Sequence, residues 1–174
     1  MFIKKSAILG LKIIYPLSMF KDDRGTYIES FNKKRYKSFL KSDFLEDDFS
    51  LNKKNVFKGI HGDHKTWKLI SCVHGKCQAI IVNCNKKSKK FGLWEKFILT
   101  PENYFQILIP PSYGNSFLVL SSFAVYHYKQ TQYYKGKTKQ FTYNINDPYF
   151  KINIAKKKII ISKRDKLAPF VNFK

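Results

Sequence analysis

The sequence predicts an all-β fold, either an antiparallel sandwich or a barrel. Short runs rich in β-branched and aromatic residues recur at intervals of roughly 8 to 12 residues from Lys68 onward. Turn signals separate these runs, and a single segment shows helical spacing. The chain has 174 residues, of which 44% are apolar, so we expect one packed domain over residues 1–174. A jelly roll and an up-and-down barrel are the two open choices.

The first predicted element is an apolar strand. Residues 1–15 hold enough isoleucine and leucine for a strand, with Gly10 as a break or bulge and Pro16 as its end. The basic and then apolar start imitates a signal peptide, but Lys12 interrupts the run and no small-residue cleavage site follows. We therefore expect a cytoplasmic protein. An acidic turn closed by Gly25 then leads into a second short strand.

A short helix and an acidic stretch are predicted next. Apolar residues recur at roughly helical spacing among lysines, namely Phe31, Tyr36, Phe39 and Leu40. Four acids follow, Asp43, Glu46, Asp47 and Asp48. We expect these acids in a loop, where such a cluster is most often simply solvated. A carboxylate at this place would also suit the N1 and N2 donors of guanine.

Seven β-rich runs fill most of the remaining chain. They are KLISCV, CQAIIVNC, LWEKFIL, YFQILIP, SFLVLS, FAVYHYKQ and TKQFTYNI. Between them lie segments such as HGK, TPEN and PPSYGN, whose glycine, proline and asparagine are typical of turns. Each run is therefore predicted as a strand, and a small ligand would bind at the interior mouth of the sandwich or barrel.

The charge of the chain is strongly basic. A formal net charge of +21 would by itself point to nucleic acid or an anionic surface. However, only Arg24, Arg35 and Arg164 among the 33 basic residues are arginine, and phosphate and base recognition favours the guanidinium fork. The lysines are spread over the whole chain, and no apolar run is long enough to cross a bilayer. We therefore expect neither a nucleic-acid nor a membrane partner.

Cysteines and histidines do not indicate a metal. Cys72, Cys77 and Cys84 lie in or beside apolar runs without the CxxC spacing of zinc and redox sites, so we expect reduced thiols. The four histidines are His61, His64, His74 and His127. Their spacing does not give the HxH, glutamate and distant histidine of metal-binding cupin barrels. We predict no metal.

The stretch NVFKGIHGDHKTWKL, residues 55–69, is the candidate floor of an active site. It places a histidine, lysines, an acid and a glycine turn between two apolar runs. The neutral imidazole of His61 can take up a proton near neutral pH, and a neighbouring lysine can hold a developing oxyanion. By itself, however, a histidine beside a strand is more often a hydrogen-bonded structural residue.

Eight segments together carry a resemblance to a known family. FKDDRGTYIESF, NVFKGIHGD, KTWKL, FGLWEKFILTPEN, ILIPPSYGNSFLVLS, YHYKQTQYY, NDP and ISKRDKLAP occur in the order and spacing of nucleotide-sugar 3,5-epimerases. From about Phe20 to Pro169 the chain resembles the dTDP-4-dehydrorhamnose 3,5-epimerase family. HGDHKTWKL and IPPSYGNSFLVLS look closer to the branch that acts on GDP-4-keto heptoses in capsule biosynthesis. The resemblance selects a cupin-like jelly-roll barrel with one or two short helices.

The resemblance also implies how such an enzyme works. It implies no metal and no organic cofactor, a nucleotide-diphosphate 4-keto sugar as substrate, and a homodimer that exchanges N-terminal strands within residues 1–30. His61 matches the base, and Asp165 matches the carboxylate that fixes its tautomer. Lys68 matches the cation at the enolate oxygen, and Tyr128 matches the general acid. The residues that match substrate contacts are Arg24, Tyr27, Glu29, Glu46, Asp48, Lys58 and Asn115.

Four of these positions depart from the family pattern. Glu46 and Asp48 stand where rhamnose enzymes usually have glutamine and asparagine, Lys58 where they have arginine, and Asn115 where they have a second histidine. These departures leave open the nucleotide and whether one or both ring carbons are inverted. Each catalytic candidate also has a plainer interpretation as a core tyrosine, a surface lysine or an exposed acid. The alternative functions are a 3,4-ketoisomerase on the same fold and a non-catalytic basic module for RNA or polysaccharide.

Overall fold

A computed structural model of the chain describes residues 1–16, 19–154 and 158–172. These residues form mainly β-structure with two short helices. The strands are β1 (Phe2–Lys5), β2 (Lys12–Tyr15), β3 (Met19–Asp22), β4 (Gly25–Ile28), β5 (Glu46–Lys53), β6 (Val56–Gly62), β7 (Lys68–His74), β8 (Cys77–Asn83), β9 (Trp94–Leu99), β10 (Gln106–Ile109), β11 (Tyr113–Val119), β12 (Phe123–Gln130), β13 (Phe141–Thr142) and β14 (Ile160–Ile161). The helices are α1 (Lys33–Tyr36) and α2 (Lys163–Lys166).

Two sheets pack face to face as a jelly roll. The first sheet has the strand order β1-β2-β10-β7-β12-β5, and the second has the order β13-β6-β11-β8-β9 with β14 added parallel to β6. The core between them takes buried side chains from both sheets, such as Ile70 and Tyr126 from the first and Ile81 and Val119 from the second. Burying an aliphatic side chain of this size contributes about 1.5–3 kcal/mol. The β-rich runs therefore pair as predicted.

The C-terminal part of the chain covers the outer face of the second sheet. Phe57, Ile80 and Leu118 point away from the central core, and Ile145 and Phe150 pack against them. This second apolar layer gives β6 a packed environment on both faces. It also brings the end of the chain next to His61, which lies near the end of β6.

The outer face of the first sheet is covered in part by the segment around α1. Tyr36 and Leu40 are buried against Ile14, Leu69 and Leu108. The uncovered part of this face, on β5, exposes large apolar side chains. Phe49 is 60% exposed and Leu51 is 65% exposed.

Two predicted elements near the N-terminus are shorter than expected. The strand predicted over residues 1–15 is a hairpin of β1 and β2, because Ser6 closes a turn through two hydrogen bonds with the backbone of Leu11, each 2.8 Å long. The helix predicted over residues 31–40 is the single turn α1. The Ser38 hydroxyl donates to the Arg35 carbonyl at 2.7 Å, and such a side-chain bond competes with continuation of a helix.

Strand β5 was not predicted, and the loop expected for its acids is wrong. Glu46, Asp47 and Asp48 form the first part of β5, which pairs with β12 along its whole length. The usual pattern is reversed here, because the inward face carries Glu46 and Asp48 whereas the outward face carries Phe49 and Leu51. The strand therefore lacks the apolar inward face that an antiparallel strand of a sandwich usually has. The run TKQFTYNI is also shorter than predicted, since only β13 is a strand.

In the described ranges, no helix has the length and apolar composition needed to span a membrane.

Candidate active site

A cavity of about 330 Å³ lies between the two sheets, next to the end of β6. Seven of the predicted site residues line it, namely Glu46, Asp48, Lys58, His61, Lys68, Asn115 and Tyr128. They come from β5, β6, β7, β11 and β12, so both sheets contribute. The fold therefore gathers side chains that are up to 82 residues apart, the separation between Glu46 and Tyr128.

His61 forms a hydrogen-bonded dyad with Asp165. His61 Nε2 lies 2.6 Å from Asp165 Oδ1, and the Asp165 side chain is 2% exposed. Burial by itself would raise the pKa of Asp165, but the hydrogen bond and charge of His61 hold this pKa below its usual value. The carboxylate therefore accepts the Nε2 proton, which leaves Nδ1 as the ring nitrogen that can take a proton from a ligand.

The C-terminal segment positions Asp165 under β6. Ile160 and Ile161 pair in parallel with Val56 and Phe57 as β14. Ser162 then caps α2, because its hydroxyl accepts from the backbone N–H of Asp165 at 3.1 Å. The interpretation of Asp165 as an exposed acid is wrong, since the residue is buried against His61.

Lys68 is a buried cation at the cavity wall. It is 7% exposed, and in the described part of the chain no carboxylate lies within 4 Å of its Nζ. Burial lowers the pKa of Lys68, although the charges of Asp63 and Asp48 act in the opposite direction. The interpretation as a surface lysine is wrong. A buried ammonium without a close counter-ion favours an anionic or oxyanionic ligand.

Tyr128 is a half-buried phenol on β12. It lies directly across from Asp48 of β5 in the strand register. Burial, followed by the negative charges of Asp48 and Glu46, raises the pKa of Tyr128 to about 12. The side chain therefore keeps its proton at neutral pH and can donate it. His61 lies on the second sheet and Tyr128 on the first, so both sides of a ligand between the sheets can be reached.

The sequence profile of the dTDP-4-dehydrorhamnose 3,5-epimerase family matches residues 5–172. The chain belongs to this family. A dTDP-4-dehydrorhamnose 3,5-epimerase of Salmonella typhimurium is 35% identical over 139 residues, which cover 77% of this chain and 75% of the relative. The prediction of an isomerase is thereby confirmed at the level of the family.

Solved structures of the epimerase family share the fold. A dTDP-6-deoxy-D-glucose-3,5-epimerase of Legionella pneumophila, in complex with dTDP-4-keto-L-rhamnose, is 33% identical and superposes with a TM-score of 0.90 over 97% of this chain and 92% of its own. A dTDP-4-dehydrorhamnose 3,5-epimerase of Bacillus anthracis, with TDP and PPi bound, is 26% identical with a TM-score of 0.90, over 98% of this chain and 99% of its own. The predicted cupin-like jelly roll is confirmed.

Two of the four departures from the family pattern, Asn115 and Lys58, form hydrogen bonds with other cavity residues. Asn115 lies opposite His61 in the strand register, and its Oδ1 accepts a hydrogen bond from the Tyr126 hydroxyl at 2.9 Å. Lys58 Nζ donates to Ser50 Oγ at 2.8 Å. Asn115 cannot act as a second base, because an amide does not titrate near neutral pH.

Three predicted substrate contacts lie away from the cavity of the described chain. Arg24 and Tyr27 belong to the exposed hairpin of β3 and β4, where Arg24 forms an ion pair with Asp22. Tyr27 is 67% exposed. Glu29 pairs with Arg35 through a close ion pair. The described single chain therefore does not bring these three predicted contacts to the cavity.

Several residues of the cavity were not among the predicted site residues. They are Ser50, Phe117, Tyr126, Gln130, Tyr134, Gln140 and Arg164. Tyr126 and Gln130 could have been found, because they share the inward face of β12 with Tyr128. Arg164 precedes Asp165, and its Nη2 donates to Thr142 Oγ1 at 2.7 Å. Gln140 lies in the predicted run TKQFTYNI but just before β13, and Tyr134 ends the segment YHYKQTQYY. Neither position was predicted to belong to the site.

The histidines and cysteines outside the dyad are not grouped for metal binding. Over residues 1–16, 19–154 and 158–172, no three His, Cys, Asp or Glu side chains are arranged to hold a metal ion. Cys72, Cys77 and Cys84 are buried free thiols.

Proposed function

We propose that the protein is a cofactor-independent epimerase that inverts carbon 3, or carbons 3 and 5, of an NDP-4-keto sugar. The His61–Asp165 dyad, combined with Lys68 and Tyr128 in one cavity, is the observation that carries this proposal. These side chains supply a base, an oxyanion partner and an acid, which are the groups that this reaction needs.

The reaction follows from the positions of these groups. His61 Nδ1 takes the proton from the carbon next to the ketone, and the electrons of the broken C–H bond form an enolate. Lys68 stabilises the enolate oxygen by a hydrogen bond, a contribution of roughly 3 to 4 kcal/mol for one preorganised donor. Tyr128 then delivers a proton from the opposite sheet, hence to the opposite face of the ring. Solvent restores the phenol and removes the proton from His61.

The proposed substrate is a GDP-4-keto heptose of surface polysaccharide synthesis, and otherwise a dTDP-4-keto-6-deoxyhexose. The segments HGDHKTWKL and IPPSYGNSFLVLS support this choice, because they resemble the branch of the family that acts on GDP-4-keto heptoses. The Legionella pneumophila and Bacillus anthracis structures contain dTDP-4-keto-L-rhamnose and TDP, respectively, which supports the thymidine alternative. The acids Glu46 and Asp48 at one cavity wall distinguish this chain from the usual glutamine and asparagine.

Deuterium exchange tests the proposed reaction. We expect incubation with 4-keto nucleotide sugars in D2O to introduce deuterium at carbon 3, with or without carbon 5, because the proton returned to carbon comes from solvent. NMR or mass spectrometry of the recovered sugar measures this exchange. If deuterium enters no member of a panel of GDP-heptoses and dTDP-hexoses, the proposal fails. Movement of the carbonyl to carbon 3 would identify the ketoisomerase alternative.

We also propose that the protein is a homodimer whose N-terminal strands serve the neighbouring site. The exposed hairpin of β3 and β4 carries Phe20 and Tyr27, and strand β5 exposes Phe49 and Leu51. Such apolar surface is poorly covered in a single chain. We expect light scattering at micromolar concentration to give a dimer mass that persists in moderate salt, and a monomer mass would contradict the exchange.

Mixing two inactive variants tests the exchange itself. His61→Asn removes the base of its own subunit, whereas Tyr27→Ala removes the arm contribution to the partner. In a mixed dimer, one site keeps both His61 and Tyr27. Activity should therefore reappear when the two variants are mixed and allowed to exchange subunits. Persistent inactivity in a confirmed mixed dimer would contradict a shared site.

A further inference from the structure

One wall of the cavity carries two acids that are fixed by their neighbours. Glu46 and Asp48 lie two residues apart on the inward face of β5. Gln130 Nε2 donates to Glu46 Oε1 and to Asp48 Oδ2, each at 3.1 Å. The backbone N–H of Tyr134 donates to Glu46 Oε2 at 2.8 Å. Asp48 also forms a side-chain hydrogen bond with Glu46, and burial followed by the charge of Glu46 raises the pKa of Asp48. Both carboxyl groups line the cavity, where their oxygens can accept hydrogen bonds from a ligand.

These acids lie beside the chemical centre of the cavity. Asp48 is the strand partner of Tyr128, and Glu46 is the strand partner of Gln130. Because Tyr128 has to reach a ring carbon, a ligand group that contacts Asp48 belongs to the sugar. A nucleobase on the far side of a diphosphate would lie several bond lengths further away.

The charges that line the cavity also favour the sugar, and not the diphosphate, next to Glu46 and Asp48. Lys58 on β6 and Arg164 on α2 are cations on the side of the second sheet, and they favour the negatively charged diphosphate. Two carboxyl groups would repel a diphosphate placed next to them. The acid wall therefore favours the uncharged, donor-bearing end of the ligand.

Lys68 provides an independent sign of a ligand at this wall. It is a buried cation without a carboxylate within 4 Å in the described ranges, and it is the strand partner of Gln130. Lys68, Gln130 and Glu46 thus form one row across three adjacent strands. A ligand in this row has an acceptor oxygen at Lys68 and a donor at the acids. A 4-keto sugar with a hydroxyl group on the substituent at carbon 5 has both.

We propose that Glu46 and Asp48 are specificity residues that accept hydrogen bonds from hydroxyl groups on the carbon-5 substituent of the sugar. The enzyme then prefers a hydroxylated substituent over a methyl group. This inference rests on the proposed epimerase function. A methyl group would displace water from the two carboxyl groups without replacing the hydrogen bonds of that water. Carboxyl oxygens left without a hydrogen bond would make binding of the methyl sugar less favourable.

Paired substrates test this inference. Two 4-keto sugars with the same nucleotide are compared, one with a hydroxyl group on the carbon-5 substituent and one with a methyl group. We expect wild-type protein to exchange deuterium at carbon 3 at least tenfold faster, per kcat/KM, with the hydroxylated sugar. Asp48→Asn and Glu46→Gln should each reduce this ratio at least threefold, because a neutral amide is a weaker acceptor. Glu102→Gln, which removes one exposed acid outside the cavity, should leave the ratio unchanged.

The outcomes separate this inference from the reaction itself. Equal exchange of both sugars by wild-type protein would overturn the specificity role, and so would an unchanged ratio in both cavity variants. If the variants change the preference between GDP and dTDP carriers of the same sugar but not the preference at carbon 5, the acids recognise the base and the inference is wrong. Absence of exchange with every 4-keto sugar would overturn the epimerase proposal and this inference with it.

Discussion

His61→Asn is expected to lower the rate of deuterium exchange at carbon 3 by about 10⁴-fold, the upper range for loss of a general base. Asparagine can still donate a hydrogen bond to the buried Asp165 carboxylate, so the cavity keeps its shape, but it cannot take up a proton. Affinity for the nucleotide should stay within roughly threefold, because the imidazole acts in chemistry more than in binding. Mass spectrometry in D2O and calorimetric titration with GDP and TDP measure the two quantities.

His64→Asn is the matched control for this prediction. His64 is exposed, lies three residues further along the chain and contacts Ser112 Oγ at 3.0 Å outside the dyad. We expect this variant to exchange deuterium at close to the wild-type rate. Retained turnover in His61→Asn would move the base elsewhere, and loss of turnover in His64→Asn would make His64 the first candidate.

Tyr128→Phe is expected to remove inverted product, with a loss of roughly 10²- to 10⁴-fold for a general acid. Exchange of the proton removed by His61 can continue, because removal and return by one imidazole on one face needs no tyrosine. Since the pKa of Tyr128 is about 12, the acid is protonated throughout the neutral range. NMR of the products in D2O separates exchange from inversion.

Tyr133→Phe is the matched control for the phenol. Tyr133 is exposed and does not line the cavity. The same change there should leave both exchange and inversion unaltered. If Tyr128→Phe makes the same epimers at the wild-type rate, water or another side chain is the acid, and the assignment of Tyr128 is wrong.

The central strands were predictable because their signals are local. KLISCV, CQAIIVNC and FAVYHYKQ combine β-branched and aromatic residues with flanking turns, and each forms a strand of seven or eight residues. Strand β5 was not predictable in this way, because its inward positions serve the cavity and its outward positions remain apolar. The prediction of one strand over residues 1–15 was wrong for a different reason. Their turn depends on the carboxylate of Glu95, which accepts from the backbone of Ala7 and Leu9.

The catalytic set could be named from the family resemblance, but its geometry could not. Residue patterns do not reveal that Asp165 lies 2.6 Å from an imidazole 104 residues away. They also do not reveal that Lys68 is buried, since most lysines of this chain belong to a solvated surface. Tyr134 and Gln140 line the cavity from the connection between β12 and β13, which belongs to neither sheet.

Because His61 pairs with Asp165, we expect catalytic activity to appear only after the C-terminal segment has folded onto β6. Strand β6 pairs with β11, where Asn115 faces His61 across 54 residues of chain. The carboxylate partner of His61 instead follows the parallel pairing of β14, where Ile160 faces Val56 across 104 residues. Contacts of such long sequence separation form late, because the chain loses conformational entropy when the loop closes, before the contacts can stabilise it. A refolding chain would therefore regain its sheet spectrum before its turnover. The delay between the two signals would report when the last segment docks.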